Sequence, residues 1–469
     1  MLQYLSLLNP DFIPIEIFNS IIENNLKDWI DIKDCIEILN SLSLVSVVIT
    51  NDKTGVQIHR LIQNEIKSYA ENNKNDTSIK QNKIIHKNMV KCLNKVFEKV
   101  DEDPRKWADN EQYYLQALSL YENNSEFIED CEDTIELVDK LYHYEYYSDN
   151  NHTNLLDRAF RLYEMGRRVY GDVHSFMAKY LTSIAIGYEL KKDCDKALEY
   201  YLKAFEMNQK LYGNANHPDM AKSLNNLGIG YFLVKDFQKS LDSYKQALSM
   251  REKLNESKHI AESLNNVGVG YDKINDFNSA LEYKLKALEM YTLIYSNTDH
   301  PDIATALNNV GISNDNINNF EKALEYKQKG LEMREKLYKN MHSDIAESLH
   351  SLAITYFKMD KFENALKFYL KEYKMHMKMH KNDETSEIAE SLKNIGDCHE
   401  KLGNFEKCLS YRKQSLDMYM KYHKHEDHTD VVESLKQVGI AYDKLNDLDK
   451  STTFKFKATE MKKRLNSDN

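Results

Sequence analysis

The sequence predicts a mainly α-helical solenoid, preceded by a helical connector and a small domain that mixes helices with a hairpin. Three observations predict it. Seven copies of one pattern of about 42 residues run from about residue 174 to 465. Turn formers are scarce, with 14 Gly and 5 Pro in 469 residues, against average use of roughly 7% and 5%. That scarcity excludes an all-β chain with closely spaced tight turns. The first 72 residues break the helical pattern with β-branched runs around a turn.

Composition narrows the function classes. The net charge is −11, whereas a nucleic-acid binder normally carries a basic surplus. Mean hydropathy is −0.66. No uncharged apolar run approaches the roughly 18 residues of a membrane-spanning helix, so no membrane partner is expected. The opening MLQYLSLLNPDF has no basic stretch and no long apolar core, so no secretory signal is expected. Cys35, Cys92, Cys131, Cys194, Cys398 and Cys408 lie far apart with no C-x-x-C. They read as reduced, mostly buried thiols of a cytoplasmic protein.

Residues 1–72 come first. Helix-like runs cover Ile15–Asn24 and Trp29–Leu42. The β-branched run Leu44–Thr50, a turn at Asn51–Gly55 and Val56–His59 then read as a hairpin. Helix, helix, hairpin, helix is the order of a winged helix. LLNPDFIPIEIF, ILNSLSLVSV and VQIHRLIQNEI resemble the winged-helix segment that follows the ATPase core in NB-ARC proteins. Repeat-bearing members often read I-H-R-L-V-Q there, and this chain has Ile58-His59-Arg60-Leu61-Ile62-Gln63. The resemblance implies that His59 is a nucleotide sensor, in contact with the β-phosphate of ADP. Arg60 replaces the Asp of the Met-His-Asp form, as is usual in that branch. No G-x-x-x-x-G-K-[ST] occurs, so the sequence holds no loop to cradle phosphates. His59 then has a sensing role only beside an ATPase partner and is otherwise structural. The chain is expected to be either a fragment of a longer protein or a remnant that lost its ATPase.

Residues 73–172 read as a helical connector with degenerate repeats. Glu71–Lys83 is polar enough for a linker. Pro104 suits the first turn of a helix. Helices are expected near 106–122, 126–148 and 153–170. They resemble the degenerate pairs that join winged helix to repeats in NB-ARC proteins.

Residues 173–469 hold the repeats. A small residue marks each copy: Ala185, Gly228, Gly268, Gly311, Ala353, Gly396 and Gly439, at steps of 43, 40, 43, 42, 43 and 43. Twelve residues later stands a second: Ala197, Ser240, Ala280, Ala323, Ala365, Cys408 and Ser451. Small residues at both places let two antiparallel helices, A and B, approach closely. Aromatics three or four residues beyond each place give both helices one apolar face. A single pair cannot bury that face, so pairs stack. The L-N-N-[LV]-G of helix A, the K-[AS]-L of helix B and the linkers His217-Pro218-Asp219 and His300-Pro301-Asp302 resemble the tetratricopeptide repeat (TPR). The likeness is to its 42-residue form in kinesin light chains and NB-ARC–TPR proteins. Asn314, His399 and Glu372 depart from the pattern, and the loop from Ser249 to Ala261 is short; local looseness is expected at each.

The chemistry points to binding. No H-E-x-x-H and no G-x-S-x-G occurs, and neither a catalytic group, a cofactor nor a metal site is assigned. His423, His425, Asp427 and His428 cluster, as do His376 and His380; a polar joint between repeats accounts for them. His-Pro-Asp recurs at repeat joints, as a helix cap should. Most of the 31 Tyr follow packing positions, not a base-stacking surface. The resemblance implies a groove lined by A helices. An extended peptide there needs its backbone amides satisfied, and Asn offers both donor and acceptor. The matching residues are Asn225, Asn226, Asn265, Asn266, Asn308, Asn309 and Asn394. Bonds to neighbouring helices are an equally open use for these amides. Lys393 and Lys436 take the first Asn position in later copies, and Lys273, Lys358, Lys401 and Lys444 lie eight residues beyond it. Glu347, Glu390 and Glu433 oppose them, so the sign of the groove stays open. The expected function is a non-catalytic scaffold that holds a protein or peptide partner. No nucleic acid and no small-molecule substrate is expected. The alternative is the sensor portion of an NB-ARC-type switch whose ATPase is missing or on another chain.

Overall fold

The computed structural model describes residues 2–18, 32–50, 53–58, 60–72, 76–99, 104–122, 128–148, 154–213, 215–338, 341–380 and 384–467. The chain divides into two compact units, residues 1–236 and 237–469.

Unit 1 opens on a small antiparallel sheet. Strands β1 (Ile13–Pro14), β2 (Val45–Thr50) and β3 (Lys53–Ile58) lie in the order β1-β3-β2. Thr50 pairs with Lys53, so the hairpin is tighter than the Asn51–Gly55 turn the sequence suggested. Gly55 belongs to β3, opposite Val48 and Pro14. A Cβ there would fall 2.3 Å from the Phe12 ring, which explains a glycine inside a strand. Helix Arg60–Asn72 follows, then helix Asp76–Val96. The polar stretch expected as a linker up to Lys83 is therefore helical from Asp76. Ile85, Met89 and Leu93 recur every fourth residue and are buried with Leu5, Leu8, Ile13, Phe18 and Val56. An amphipathic stripe outweighs a polar opening turn. Gln116, on helix Pro104–Glu122, locks the sheet segment: its Oε1 accepts the Asn9 N–H at 2.8 Å and its Nε2 donates to Phe12 O at 2.5 Å.

Helical hairpins follow. Glu132–Tyr147 and Leu155–Tyr170 form a pair, tied by a buried bidentate bond from Arg158 to Glu145 at 2.7 and 2.6 Å. Helix A of the first copy is Ser175–Leu190, its helix B is Cys194–Tyr212, and helix A of the second copy is Pro218–Leu233.

Unit 2 begins with helix Phe237–Leu254. Five A/B pairs follow: Ser257–Lys273 with Phe277–Ile294, Pro301–Asn316 with Phe320–Tyr338, and Ser343–Lys358 with Phe362–Met379. The last two are Ser386–Lys401 with Phe405–Tyr422, and Thr429–Lys444 with Leu448–Ser467. Each pair packs along its length, and each helix B packs on the next helix A.

The marker glycines have a further use that the sequence reading missed. A Cβ at Gly268, Gly311 or Gly439 would meet the Cγ of Lys284, Lys327 or Lys455 at 2.7, 2.5 or 2.9 Å. At Gly396 it would meet Arg412 Cγ at 3.1 Å. Each of these cations crosses the helix-A backbone to reach an acid on the same helix: Asp272, Asp315, Asp443 and Glu400. Lys284 and Lys327 are 2% and 1% exposed. Lys327 Nζ also donates to Ser351 O at 2.9 Å and Thr355 Oγ1 at 2.8 Å in the next copy. A buried ammonium is tolerable only when paired and hydrogen-bonded. Where the marker is Ala185, the crossing residue is instead Tyr201, whose hydroxyl donates to Glu189 at 2.9 Å. The signal was in the sequence as an acid followed twelve residues later by Lys, Arg or Tyr.

Two departures from the repeat, Asn314 and Glu372, are hydrogen-bonded, and the third, His399, is stacked. Asn314 is buried and donates to Val310 O at 2.9 Å. His399 stacks on Tyr411 at 5.5 Å. Glu372 is buried, with His350 Nδ1 at 3.0 Å and Ser391 Oγ donating at 3.2 Å. The short loop is tied by buried Arg251, which donates to His259 O and Ser263 Oγ, each at 2.8 Å. Glu372 is matched by polar neighbours, His350 and Ser391, that one-copy-at-a-time reading does not see.

Gly311→Ala should cost about 1–2 kcal/mol, the overpacking strain exceeding the helix-propensity gain. Adding Lys327→Tyr should recover part of that loss, as the Ala185–Tyr201 pairing implies. Urea midpoints of the full chain check both.

Candidate functional site: the helix-A face and a cleft in unit 1

The joints set where each helix A starts. His174, His217, His300, His342 and His428 are N-caps in extended conformation, and each ring accepts the backbone N–H two residues on. Pro218 and Pro301 hold the first helical position, where no N–H is needed. Tyr212, Tyr295 and Tyr338 stack on the capping rings at 3.6, 3.4 and 3.8 Å. Tyr212 and Tyr295 also donate to Asp219 and Asp302, at 3.0 and 2.5 Å.

His423, His428 and Asp430 bring three possible metal-ligating atoms within 4.8 Å of one another. They repeat the same joint with His423 in place of Tyr. His423 stacks on His428 at 3.6 Å and its Nε2 lies 3.1 Å from Asp430 Oδ2. His428 Nδ1 already accepts the Asp430 N–H at 3.2 Å. The cap accounts for the cluster.

The asparagines predicted for a groove divide. Asn225, Asn226, Asn265, Asn266, Asn309 and Asn394 are half-buried on their A helices. Asn308 is 2% exposed, so its side chain belongs to the interior and not to an open face. Asn309 Nδ2 donates to Asn265 Oδ1 at 2.9 Å. That bond aligns consecutive A helices and does not use the two Asn265 amide N–H groups, the second Asn309 N–H or the Asn309 oxygen. Asn316 repeats the link lower down, donating to Asp272 at 3.2 Å.

Lys273, Lys358, Lys401 and Lys444 are exposed in the last turn of their helices, where cations favour the helix dipole. Lys393 and Lys436 are half-buried. Lys436 pairs with Glu433 at 3.3 Å, and Glu347 with Arg334 at 3.0 Å. Burial opposes charge on His350, but Glu372 outweighs it and holds the imidazole above its ordinary pKa. Opposite charges thus meet locally along this face. His59 lies outside the described residues.

Unit 1 adds a cleft of about 390 Å³. Helix Glu132–Tyr147 supplies Tyr142, His143, Tyr146 and Tyr147, and the first two A helices supply the facing walls, including Phe176, Lys222 and Asn226. Asn208 lies at its floor, 5% exposed. Its Nδ2 donates to Ser223 Oγ and Asp219 O, at 2.5 and 3.2 Å. Its Oδ1 is buried with no partner among the described residues. Lys179 grips Asp139 with both oxygens at 2.7 Å. Burial raises the Asp139 carboxyl, yet Lys179, His143 and Lys99 together hold it below its usual range. Burial pushes His143 down to about 4 despite Asp139 beside it. The ring is therefore neutral at pH 7. The sequence reading missed this cleft because the helix that carries HYEYY has no repeat register to align.

A stack of A/B helix pairs with capped joints defines a helical-repeat protein. The tetratricopeptide repeat family model matches residues 177–253, 219–292, 302–378 and 387–464, more than half of the chain. The chain belongs to the tetratricopeptide repeat family. No curated protein matches its sequence significantly. Among solved structures it is similar to a Signal Transduction ATPase with Numerous Domains (STAND) protein with a tetratricopeptide repeat sensor from Pyrococcus horikoshii. That match has TM-score 0.58 and 15% identity, and covers 100% of this chain and 64% of that one. Nearly identical TPR-like repeats assigned to a kinesin light chain of Podosopora anserina match with TM-score 0.38 and 16% identity, over 44% of this chain and 98% of that one. The apo quorum sensor NprR of B. thuringiensis matches with TM-score 0.49 and 14% identity, over 79% and 97%. Among the described residues no helix is long and apolar enough to cross a membrane.

The neutral buried His143 predicts a pH dependence. Its folded pKa of about 4 lies below the unfolded value of 6.5. The unfolded chain therefore binds the extra proton between those values, and stability falls as pH drops from 6.5 toward 4. The slope is at most about 1.4 kcal/mol per pH unit for one group. His143→Gln should flatten this part of the stability–pH curve in denaturant titrations.

Proposed function

We infer that the protein is a non-catalytic interaction scaffold that holds an extended peptide or partner segment along its helix-A face. The observation that carries this reading is the Asn265–Asn309 bond at 2.9 Å. It lines half-used amides up on adjacent A helices, at the spacing an extended backbone could read. Local pairing of Glu433 with Lys436 and of Glu347 with Arg334 supports a partner recognised by hydrogen bonds and shape more than by net charge. The exposed Lys273, Lys358, Lys401 and Lys444 serve as secondary contacts. In this proposal residues 1–72 are a winged-helix-like remnant, 73–172 a connector, and 173–469 seven repeats. The protein works in the cytoplasm without a cofactor.

Asn226, Asn266 and Asn309 changed together to Ala should abolish partner capture in pull-downs and leave far-UV circular dichroism unchanged. Capture equal to wild type would remove the reading.

A second reading makes the chain the sensor portion of a nucleotide-dependent switch whose ATPase sits on another polypeptide. The Ile58–Gln63 motif supports it, as does the likeness in fold, over the whole chain, to the STAND protein. His59→Ala should then activate the assembled switch, read as a raised ATP-bound fraction. A free adaptor would show no change.

A further inference from the structure

We propose that the unit-1 cleft is an anchor pocket for an aromatic side chain that ends in a hydrogen-bond donor, presented by a bound peptide. The inference rests on the peptide-binding reading and names the residue type that this part of the surface selects.

Three features converge there. The first is size: about 390 Å³ falls at the lower end of the range for ligand sites, roughly 300–1,000 Å³. That holds one large side chain with its backbone. The second is the wall. Tyr142 and Phe176 line the cleft, and Tyr142 is fixed by donating to Ser183 O at 3.2 Å. Phe176 is 41% exposed, an apolar ring left at the mouth. Aromatic walls of this kind favour stacked or edge contacts with a planar group. The third is the floor. Asn208 is held in place by Ser223 and Asp219, and the donors of its amide are spent on them. Its buried Oδ1 has no partner among the described residues. A buried acceptor left unpaired is costly, and a donor carried in by a ligand would relieve it.

The chemistry around the floor fits a neutral group. His143 is uncharged because burial disfavours its cation, and Asp139 is occupied by Lys179. The cleft therefore holds polar atoms unpartnered among the described residues, Asn208 Oδ1 and the ring nitrogens of His143, without an unpaired charge at its base. Lys222 is exposed at the rim and makes no ion pair among the described residues. With Asn226 it faces the place where the peptide backbone would leave the pocket. A phenol matches the walls and the floor: a flat ring for the first and an O–H for Asn208.

The test uses two probes that differ by one hydroxyl, N-acetyl-L-tyrosinamide and N-acetyl-L-phenylalaninamide. Both are titrated into the full chain and followed by saturation-transfer NMR. The tyrosine probe should bind roughly tenfold more tightly than the phenylalanine probe, because only it satisfies the floor. Asn208→Leu should erase that preference, and Phe176→Ala should weaken both probes together. Equal affinities in the wild type, or no binding of either probe, overturn the proposal. The wild-type comparison stands even where Asn208→Leu fails to fold. Loss of partner capture in the triple asparagine variant, alongside silent probes, overturns the pocket and keeps the scaffold. Intact capture in that variant with the tyrosine preference present removes the asparagine row and keeps the pocket.

Discussion

Each repeat depends on one point of closest approach, where the backbone of helix A meets helix B. Small residues at Gly268, Gly311 and Gly439 leave no Cβ there, and a lysine stem fills the gap. The stem carries its charge through the packed layer to an acid on the far side of helix A. At Gly268 and Gly311 a tight crossing and a buried ion pair are thus one device, whereas the pair at Gly439 is exposed. Where a lysine stem crosses, a Cβ at the marker would collide with it, and the ammonium cannot be buried without the carboxylate. Lys327 extends the device by bonding Ser351 and Thr355 of the next copy. The same side chain sets the geometry within a pair and the register between pairs. Stability in such arrays is carried by pairs and nearest-neighbour interfaces, so a side chain that serves both couples them.

The joints solve a different problem. Every helix A must begin close to the end of the preceding helix B, with its first N–H groups satisfied. A histidine cap does this with its ring, and the ring also offers a flat face. Tyr212, Tyr295 and Tyr338 use that face. The tyrosine belongs to the outgoing helix and the histidine to the incoming one, so their stacking fixes the angle of the turn. His423 does the same at a later joint. What resembles a metal cluster there is one more instance of a chain-reversal rule.

Much of this was legible in the sequence because repeats average out noise. A glycine that recurs at a fixed step identifies a packing position that one glycine could not. The copies also expose their own substitutions: Ala185 goes with Tyr201, while Gly311 goes with Lys327. The crossing residue stands sixteen residues after the marker and twelve after its acid, but the meaning of that spacing needed the crossing geometry. Two features failed to show. The amphipathic stripe of Ile85, Met89 and Leu93 was hidden under a polar opening turn, so a helix read as a linker. Asn308 looked like its neighbour Asn309, yet adjacent positions on a helix point about 100° apart, and Asn308 turned inward. The Asn pairs are degenerate in sequence and distinct in space.

The polar groups of the helix-A face and those of the unit-1 cleft are used differently. Within unit 2, Asn309 is engaged with Asn265, Lys436 with Glu433 and His350 with Glu372. These groups spend part of their capacity on the fold, and what remains is a half-share of hydrogen bonds along the face. On the proposed function such a surface would suit backbone, which every peptide offers, and would discriminate little. The cleft in unit 1 is built otherwise. Asn208 has its donors fixed and its acceptor idle, and His143 is kept neutral beside an occupied carboxylate. An idle group in a rigid setting discriminates strongly, because the wrong ligand leaves it unpaired while the right one satisfies it. On the proposals above, breadth of binding and choice of partner would come from different chemistry: shared amides for the first, and for the second the polar atoms of the cleft left unpartnered among the described residues, Asn208 Oδ1 among them.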